Sequence, residues 1–169
     1  VKEVRPTTGK TLGALFSILG PLAGASFLDL FSGTGRVAKE ARLRGASIVT
    51  VELLRDRALE IRRTLGEERH TALCMDVRRA LNWLEKRELR FDVIFADPPY
   101  EMKWMSELPR LLGAHAGLLK PGGTVILERA EREPLNLDNS PWALADERRY
   151  GVSTLDFLKL KGEGSDVQA

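Results

Sequence analysis

Apolar residues along the chain fall into short unbroken runs, separated by longer stretches in which they recur every three or four positions. The runs are SFLDLF (Ser26 to Phe31), SIVTVE (Ser47 to Glu52), TALCMD (Thr71 to Asp76), FDVIFAD (Phe91 to Asp97) and GTVILER (Gly123 to Arg129). Each is bounded by Gly, Pro or charge, the pattern of strands buried on both faces of a parallel sheet. Between them, Gly35 to Arg44, Leu54 to Gly66, Val77 to Arg87 and Lys103 to His115 read as helices. In the second, Ala58, Ile61 and Leu65 form an apolar stripe between Arg and Glu. Repeated strand–helix alternation predicts right-handed βαβ units and an α/β fold with a doubly wound, mostly parallel sheet. Ala143 to Tyr150 and Ser153 to Leu160 read as a terminal pair joined at Tyr150-Gly151, bringing the expected sheet to seven strands. Thr7 to Leu19 reads as a helix outside the sheet, capped by Thr7 or Thr8, with Leu12, Leu15, Phe16 and Leu19 as its buried face.

The 169 residues suit one domain, 1–169, with a helical cap segment over 1–20 and a frayed polar tail over 162–169. Lys plus Arg is 26 and Asp plus Glu 24, a formal charge of +2 that does not by itself demand a nucleic-acid partner. The single cysteine, Cys74, excludes an internal disulfide and a Cys-rich zinc site, and a lone thiol suits a reducing cytoplasm. It reads as a buried strand residue rather than a nucleophile. His70 and His115 stand in no ligand-like spacing, so no metal is expected, and His115 reads as a helix-end residue. No apolar run approaches the roughly 20 residues of a membrane helix, and VKEVRPTTGK has no apolar core of a secretory signal. A cytoplasmic monomer is the expectation.

The chemistry gathers at the strand ends. Gly33 and Gly35 follow the first strand and open a helix, fitting G-x-G-x-x-A with Ala38. Glycines there let the backbone approach a ligand and leave helix N-terminal amides free. Glu52 closes the second strand, placed to accept hydrogen bonds from ribose hydroxyls. Asp76 closes the third, Asp97 the fourth, and Asp29 lies within the first. Four acids at the ligand-binding edge of an open α/β sheet disfavour the pyrophosphate of NAD. They favour a ligand with cationic groups and an adenosine, and S-adenosylmethionine has both. Asp97-Pro98-Pro99-Tyr100 then places a carboxylate beside a carbonyl that proline fixes. Two acceptors can hold the hydrogens of one exocyclic amine while Tyr100 stacks on its base. Holding the amine so favours a pyramidal nitrogen with its lone pair aimed at the methyl group, catalysis by positioning and electrostatics.

On LDLFSGTG, VE, MD and DPPY, preceded by Arg5-Pro6-Thr7-Thr8 and Ala14-Leu15-Phe16, the chain resembles the class I S-adenosylmethionine-dependent methyltransferases. Within them it looks most like the RsmD family of bacterial 16S rRNA (guanine-N2) methyltransferases. The resemblance runs from Arg5 to about Phe157 and implies a Rossmann-like fold. It implies that Phe31, Ser32, Gly33 and Gly35 line the methionine part of the cofactor, with Asp29 and Asp97 also at the cofactor. Glu52 would hold the ribose, Leu53 would lie beside the adenine, and Asp76 with the Val77 amide would read the adenine edge. Asp97, Pro98, Pro99 and Tyr100 would be the catalytic segment, and Thr7 and Thr8 would close over the cofactor. The implied partner is 16S rRNA or the 30S particle. Three positions depart from the family's N-terminal helix: Gly9 replaces an acid, Leu12 a basic residue and Gly13 a glutamate, while Lys10 is retained. These changes bear on substrate engagement and leave the cofactor pocket intact.

Arg5, Lys10, Arg36 and Lys103 lie nearest the DPPY mouth and are the candidate RNA phosphate contacts. The remaining basic residues read as solvated helix faces. Trp83 and Trp142 read as packing residues, and Trp104 as packing or as a border of the base pocket. A DNA adenine-N6 methyltransferase also carries DPPY, but no stretch of the chain supplies a domain to read duplex bases. Protein-glutamine and small-molecule amine methyltransferases more often carry Asn in place of Asp97. An inactive methyltransferase-like RNA-binding or assembly factor is the further alternative, and the intact Asp97 to Tyr100 argues against it.

Overall fold

A computed structural model describes residues 9–100 and 103–163. The chain alternates as the apolar pattern predicts: α1 (Gly9–Leu19), β1 (Ser26–Leu30), α2 (Arg36–Leu43), β2 (Ser47–Glu52), α3 (Arg55–Leu65), β3 (His70–Cys74), α4 (Val77–Lys86) and β4 (Phe91–Ala96). Then come α5 (Leu108–Ala114), β5 (Leu119–Ala130), β6 (Trp142–Tyr150) and β7 (Ser153–Leu160). They form one seven-stranded sheet in the order β3-β2-β1-β4-β5-β7-β6. β1 to β5 run parallel, and β7 and β6 add an antiparallel edge. This is the α/β Rossmann-like fold of class I methyltransferases.

Alternation along the strands splits the core into two layers. Phe27, Ile48, Val93, Phe95, Ile126 and Phe157 pack against α1, α2 and α3 through Phe16, Ala38 and Ile61. Leu28, Val51, Ile94, Val125 and Leu158 face α4 and α5 through Leu81, Leu84 and Leu108. Both layers are closed, which is why the parallel strands read as unbroken apolar runs. At Gly35 the turn into α2 has φ 78°, and an added Cβ would stand 2.9 Å from Ile61 Cγ1. Its missing side chain therefore lets α3 close against the turn.

Three expectations are corrected. The helix expected over Lys103 to His115 is broken into a 3₁₀ turn (Trp104–Ser106) and α5, with Pro109 in the first turn of α5. Proline opens a helix readily but cannot continue one. β5 begins at Leu119 rather than Gly123, because Leu119 pairs with Phe91 ahead of a register shift. Cys74 is exposed, not buried. It ends β3, an edge strand, and strand order is invisible in the apolar pattern. α1 is described from Gly9 onward, and the expected first residue and caps of that helix, Thr7 and Thr8, lie outside the described residues. Most of the expected tail, from 164 onward, also lies outside them.

The tryptophans pack, as expected. Trp142 is buried and its Nε1 donates to the Pro109 carbonyl at 2.9 Å. Trp83 is half-buried against the core, with the Arg87 guanidinium 3.5 Å from its ring centroid. No helix among the described residues is long and apolar enough to cross a membrane.

Candidate active site

The parallel strands deliver their acids to one edge and one face. Asp29 is in register with Phe95, and Phe95 with Ile126. Two residues further along, the same alternation brings Asp97 beside Glu128, on the face that packs against α1 and α2. Glu52 shares that face, since Ile48 and Thr50 precede it in period two. Asp29, Glu52, Asp97 and Glu128 thus line the C-terminal edge of β2, β1, β4 and β5, the ligand-binding edge of such sheets.

Each acid is held differently. Glu52 is buried, and its two oxygens accept from the Gly33 amide at 2.9 Å and the Leu54 amide at 2.7 Å. It ties the glycine loop to the end of β2. The Gly35 amide donates to the Ser32 carbonyl at 2.8 Å, so neither glycine amide of this loop is free. Ser32 is buried, and its hydroxyl donates to the Asp29 carbonyl at 2.8 Å and accepts from the Val51 amide at 3.2 Å. These bonds hold Phe31 at φ 57°, a strained value for a residue with a side chain. The Phe31 ring meets Trp104 edge-on, with centroids 5.0 Å apart, and Arg78 lies over the same indole at 4.2 Å. Trp104 is therefore the buried floor under Phe31.

Asp29 is 1% exposed. Burial pushes its carboxyl up to about 8; the Ser32 hydroxyl and the Ala38 amide of α2 act in the opposite direction, and Glu52 adds to the rise. Its Oδ2 has no hydrogen-bond partner among the described residues. Asp97 is likewise held well above the usual carboxylate range, first by burial, then by the neighbouring acid Glu128, then by Asp29 and Glu133. Among the described residues, the charged groups that raise Asp97 are acidic, and the Asp29 oxygen without a partner among them is an acceptor that a cationic ligand would fill. The residues present fit S-adenosylmethionine, which carries both an ammonium and a sulfonium. Among the described residues no cluster suits a metal ion.

Around this wall, Leu53 is 64% exposed beside Glu52, and Tyr100 is 54% exposed after the buried Pro98 and the exposed Pro99. Asp76 caps α4, accepting from the Arg78 amide at 2.8 Å, with Val77 the first helical residue. Arg36 opens α2, against the start of α1 at Gly9, and Lys10 is exposed next to it. Lys103 is exposed, at φ 53° ahead of Trp104. Arg5, Thr7 and Thr8 lie outside the described residues. Glu128 was missed by the sequence reading. Its signal was present, since VILE closes an apolar run with an acid just as SIVTVE does.

His70 and His115 do not join the site. His70 is buried between Thr50 and Gly66, and His115 ends α5 and bonds Glu85 through Nδ1.

Residues 1–159 match the family described as Conserved hypothetical protein 95. Ribosomal RNA small subunit methyltransferase D of Haemophilus influenzae is 29% identical over 155 residues, covering 88% of this chain and 79% of that protein. The protein of the same name from Escherichia coli K12 is 26% identical over 163 residues, covering 95% and 82%. The solved structure of a conserved hypothetical protein from Streptococcus pyogenes superposes with a TM-score of 0.76 at 32% identity, covering 89% of this chain and 96% of that one. With the sheet order and the acid-lined strand ends already described, the match places this chain in the Conserved hypothetical protein 95 family, as a class I S-adenosylmethionine-dependent methyltransferase related to the RsmD-like proteins.

Proposed function

We propose that this protein methylates the exocyclic N2 amine of a guanine in 16S rRNA. The observation that carries the reading is Asp97, set at the end of β4 within a wall of acids and followed by Pro98, Pro99 and an exposed Tyr100. The relatives named for small-subunit rRNA supply the substrate class.

S-adenosylmethionine, when bound, supplies an electrophilic methyl group on a sulfonium. Asp29 with its spare oxygen, Glu52, and the loop of Phe31, Ser32, Gly33 and Gly35 are assigned to hold it. Leu53 and Asp76, with the Val77 amide, take the adenosine end, and Thr7 and Thr8 the closing segment. Asp97 and the Pro98 carbonyl accept the two hydrogens of the target amine. Its lone pair, otherwise delocalised into the base, then turns toward the methyl group. Tyr100 offers its ring to the extruded base, and Pro99 stiffens the segment between them. Extrusion is cheapest for a base already unpaired, so a looped or single-stranded guanine is the expected target. Net charge is only +2, so Arg5, Lys10, Arg36 and Lys103 are assigned to position phosphates locally.

The test is methyl transfer to 16S rRNA and to 30S particles, followed by nuclease digestion and mass spectrometry of the nucleosides. N2-methylguanosine is expected. N6-methyladenine or N4-methylcytosine would replace the substrate assignment, and transfer to DNA alone would remove RNA from it.

A further inference from the structure

α3 and α4 deal differently with their basic residues. On α3, Arg62 bonds Glu67 and Arg63 bonds Glu60, so the exposed face carries its own acids. On α4, the acid Glu85 turns to His115 at the end of α5, and Arg78 pairs with Glu107 at its start. The neighbouring face of α4 is left to Arg79, Asn82, Trp83, Lys86 and Arg87, which share one side of the helix and line an open hollow of about 330 Å³. Among the described residues no acid lines it. Arg79, Lys86 and, just past the helix, Arg90 are exposed and make no hydrogen bond or ion pair among the described residues. Trp83 lies half-buried in the middle of the stripe. The Arg87 guanidinium stacks 3.5 Å from its ring centroid and donates through Nη1 to the Trp83 carbonyl at 3.3 Å. That guanidinium is fixed before any ligand arrives, with one of its five donors used. α4 begins after Asp76, at the sheet edge that carries Asp29, Glu52 and Asp97. Arg79 is in its first turn, so the stripe starts at that edge and runs about 12 Å along the helix to Arg87, at 1.5 Å per residue.

We propose that this face of α4 is a docking surface for the sugar–phosphate backbone of the RNA substrate, on the stretch that flanks the target base. This rests on the assignment of 16S rRNA as substrate and adds contacts that the cofactor edge does not supply. Arg79, Lys86 and Arg87 gather their charge in one hollow of a chain whose net charge is only +2. An RNA backbone carries an opposite charge at every nucleotide, which suits cations repeated along a stripe better than a single bound anion does. Arg79 and Arg87 can each donate to two oxygens of one phosphate, Lys86 acts as a point charge, and Asn82 offers an amide to phosphate or ribose. Such contacts set register and orientation and not sequence, so the choice of base stays with Asp97 to Tyr100.

Arg79→Gln/Lys86→Gln removes two of these cations from the exposed side of the helix, where glutamine is a comparable helix former. Arg62→Gln/Arg63→Gln on α3 is the control, with the same change in net charge. Filter binding of 16S rRNA and of 30S particles, without cofactor and over a series of salt concentrations, measures both. The α4 variant should bind naked rRNA about 10-fold more weakly, and its slope of log affinity against log salt should be shallower by about 1.4 to 1.8, the loss of two phosphate contacts. The α3 control should match the parent. In methyl transfer the α4 variant should raise KM for RNA and leave kcat unchanged. Calorimetry should give it the parent's cofactor affinity, which also establishes that it folds. Equal weakening in the α3 control would reduce the effect to overall charge and overturn the inference. So would an α4 variant that binds as tightly, and with the same salt dependence, as the parent. Weakening on 30S particles without weakening on naked rRNA would give the face to a ribosomal protein instead, and overturn it as well. If the parent binds neither RNA, the rRNA assignment itself fails and the docking surface with it, so the parent alone tells the two failures apart.

Discussion

Asp29 and Asp156 are buried to the same degree, at 1% and 0% exposure, on opposite faces of one sheet. Asp156 of β7 meets a guanidinium: Arg129 Nε donates at 2.6 Å and Nη2 at 3.4 Å. Arg129 also bonds Glu147 at 3.1 Å and the Glu133 carbonyl at 2.7 Å. Burial pushes the Asp156 carboxyl up and Arg129 draws it back, with Glu147 adding to the rise. Around Asp29 the Ser32 hydroxyl and the Ala38 amide only partly offset burial, and among the described residues one of its oxygens has no hydrogen-bond partner. β5 serves both faces from adjacent positions, turning Glu128 toward Asp97 and Arg129 toward Asp156. Burial alone therefore does not separate a structural acid from a site acid; the partner does. The chain completes Asp156 from its own residues, whereas an Asp29 oxygen has no partner among the described residues, and the proposed reading gives it to the cofactor.

The largest expected effect removes the partner on the completed side. Arg129→Met should leave Asp156 buried without its cation and destabilise the fold by about 3–5 kcal/mol, the usual result of breaking a buried pair from one end. The double variant Arg129→Met/Asp156→Leu should recover most of that loss, because an apolar pair of similar volume needs no compensation. Chemical denaturation of the three proteins measures it. A single variant as stable as the parent would show that Asp156 does not depend on its partner, and the contrast with Asp29 would collapse.

The sequence showed the alternation of strands and helices because a parallel strand covered on both faces must be apolar throughout. SIVTVE has the bounds of β2, and the apolar runs place Asp29, Glu52 and Asp97 at one edge. What it did not show depends on neighbours across the sheet. Cys74 is exposed because β3 is the edge strand, and Trp104 is buried because Phe31 and Arg78 close on it. Gly35 and Ser32 read as cofactor-facing from their motif. Their geometry also commits Gly35 to α3 and the Ser32 hydroxyl to β1 and β2. Glu128 could be read as a strand-end acid, but its place beside Asp97 follows from the β4–β5 register.

The next effect removes the charge of Asp29, the other member of the comparison. Asp29→Asn keeps the shape and removes the charge, so cofactor affinity should fall by about 1–3 kcal/mol if a charged acceptor is lost. In the free protein the variant should act the other way at alkaline pH. Because the folded carboxyl titrates at about 8 against an ordinary value of 3.8, the folded state holds a proton that the unfolded state has released. Its contribution is intact in acid and is lost as pH rises through about 8. Thermal melts of the free protein should show the parent losing stability over that window and Asp29→Asn losing less. Cofactor binding by the parent should release protons near neutrality, measurable by calorimetry in buffers of different ionisation heat. A variant that binds the cofactor as tightly as the parent would return Asp29 to the structural class.

The smallest effect belongs to a third buried titratable group, complete like Asp156 but without charge. His70 Nδ1 faces the Gly66 carbonyl at 2.8 Å, and a carbonyl can only accept, so Nδ1 carries the hydrogen. Nε2 is then the acceptor for the Thr50 hydroxyl at 2.8 Å, and both ring nitrogens are satisfied in the neutral tautomer. Burial lowers the pKa of His70 most; the Gly66 bond opposes it, and Arg42 and Arg62 lower it further. The unfolded chain therefore binds a proton that the folded chain resists. Stability should be intact above the unfolded value of about 6.5 and decline as pH falls below it, by no more than about 1.4 kcal/mol per pH unit for one group. His70→Gln should flatten that slope between pH 5 and 7 in denaturation experiments, by roughly this limit at most. Because both ring nitrogens of His70 are bonded within the chain, saturating cofactor should leave its NMR titration where it is while moving that of Asp29. A cofactor-induced shift at His70 equal to the one at Asp29 would mean that the two behave as one coupled set, and that a spare acceptor does not mark the ligand site.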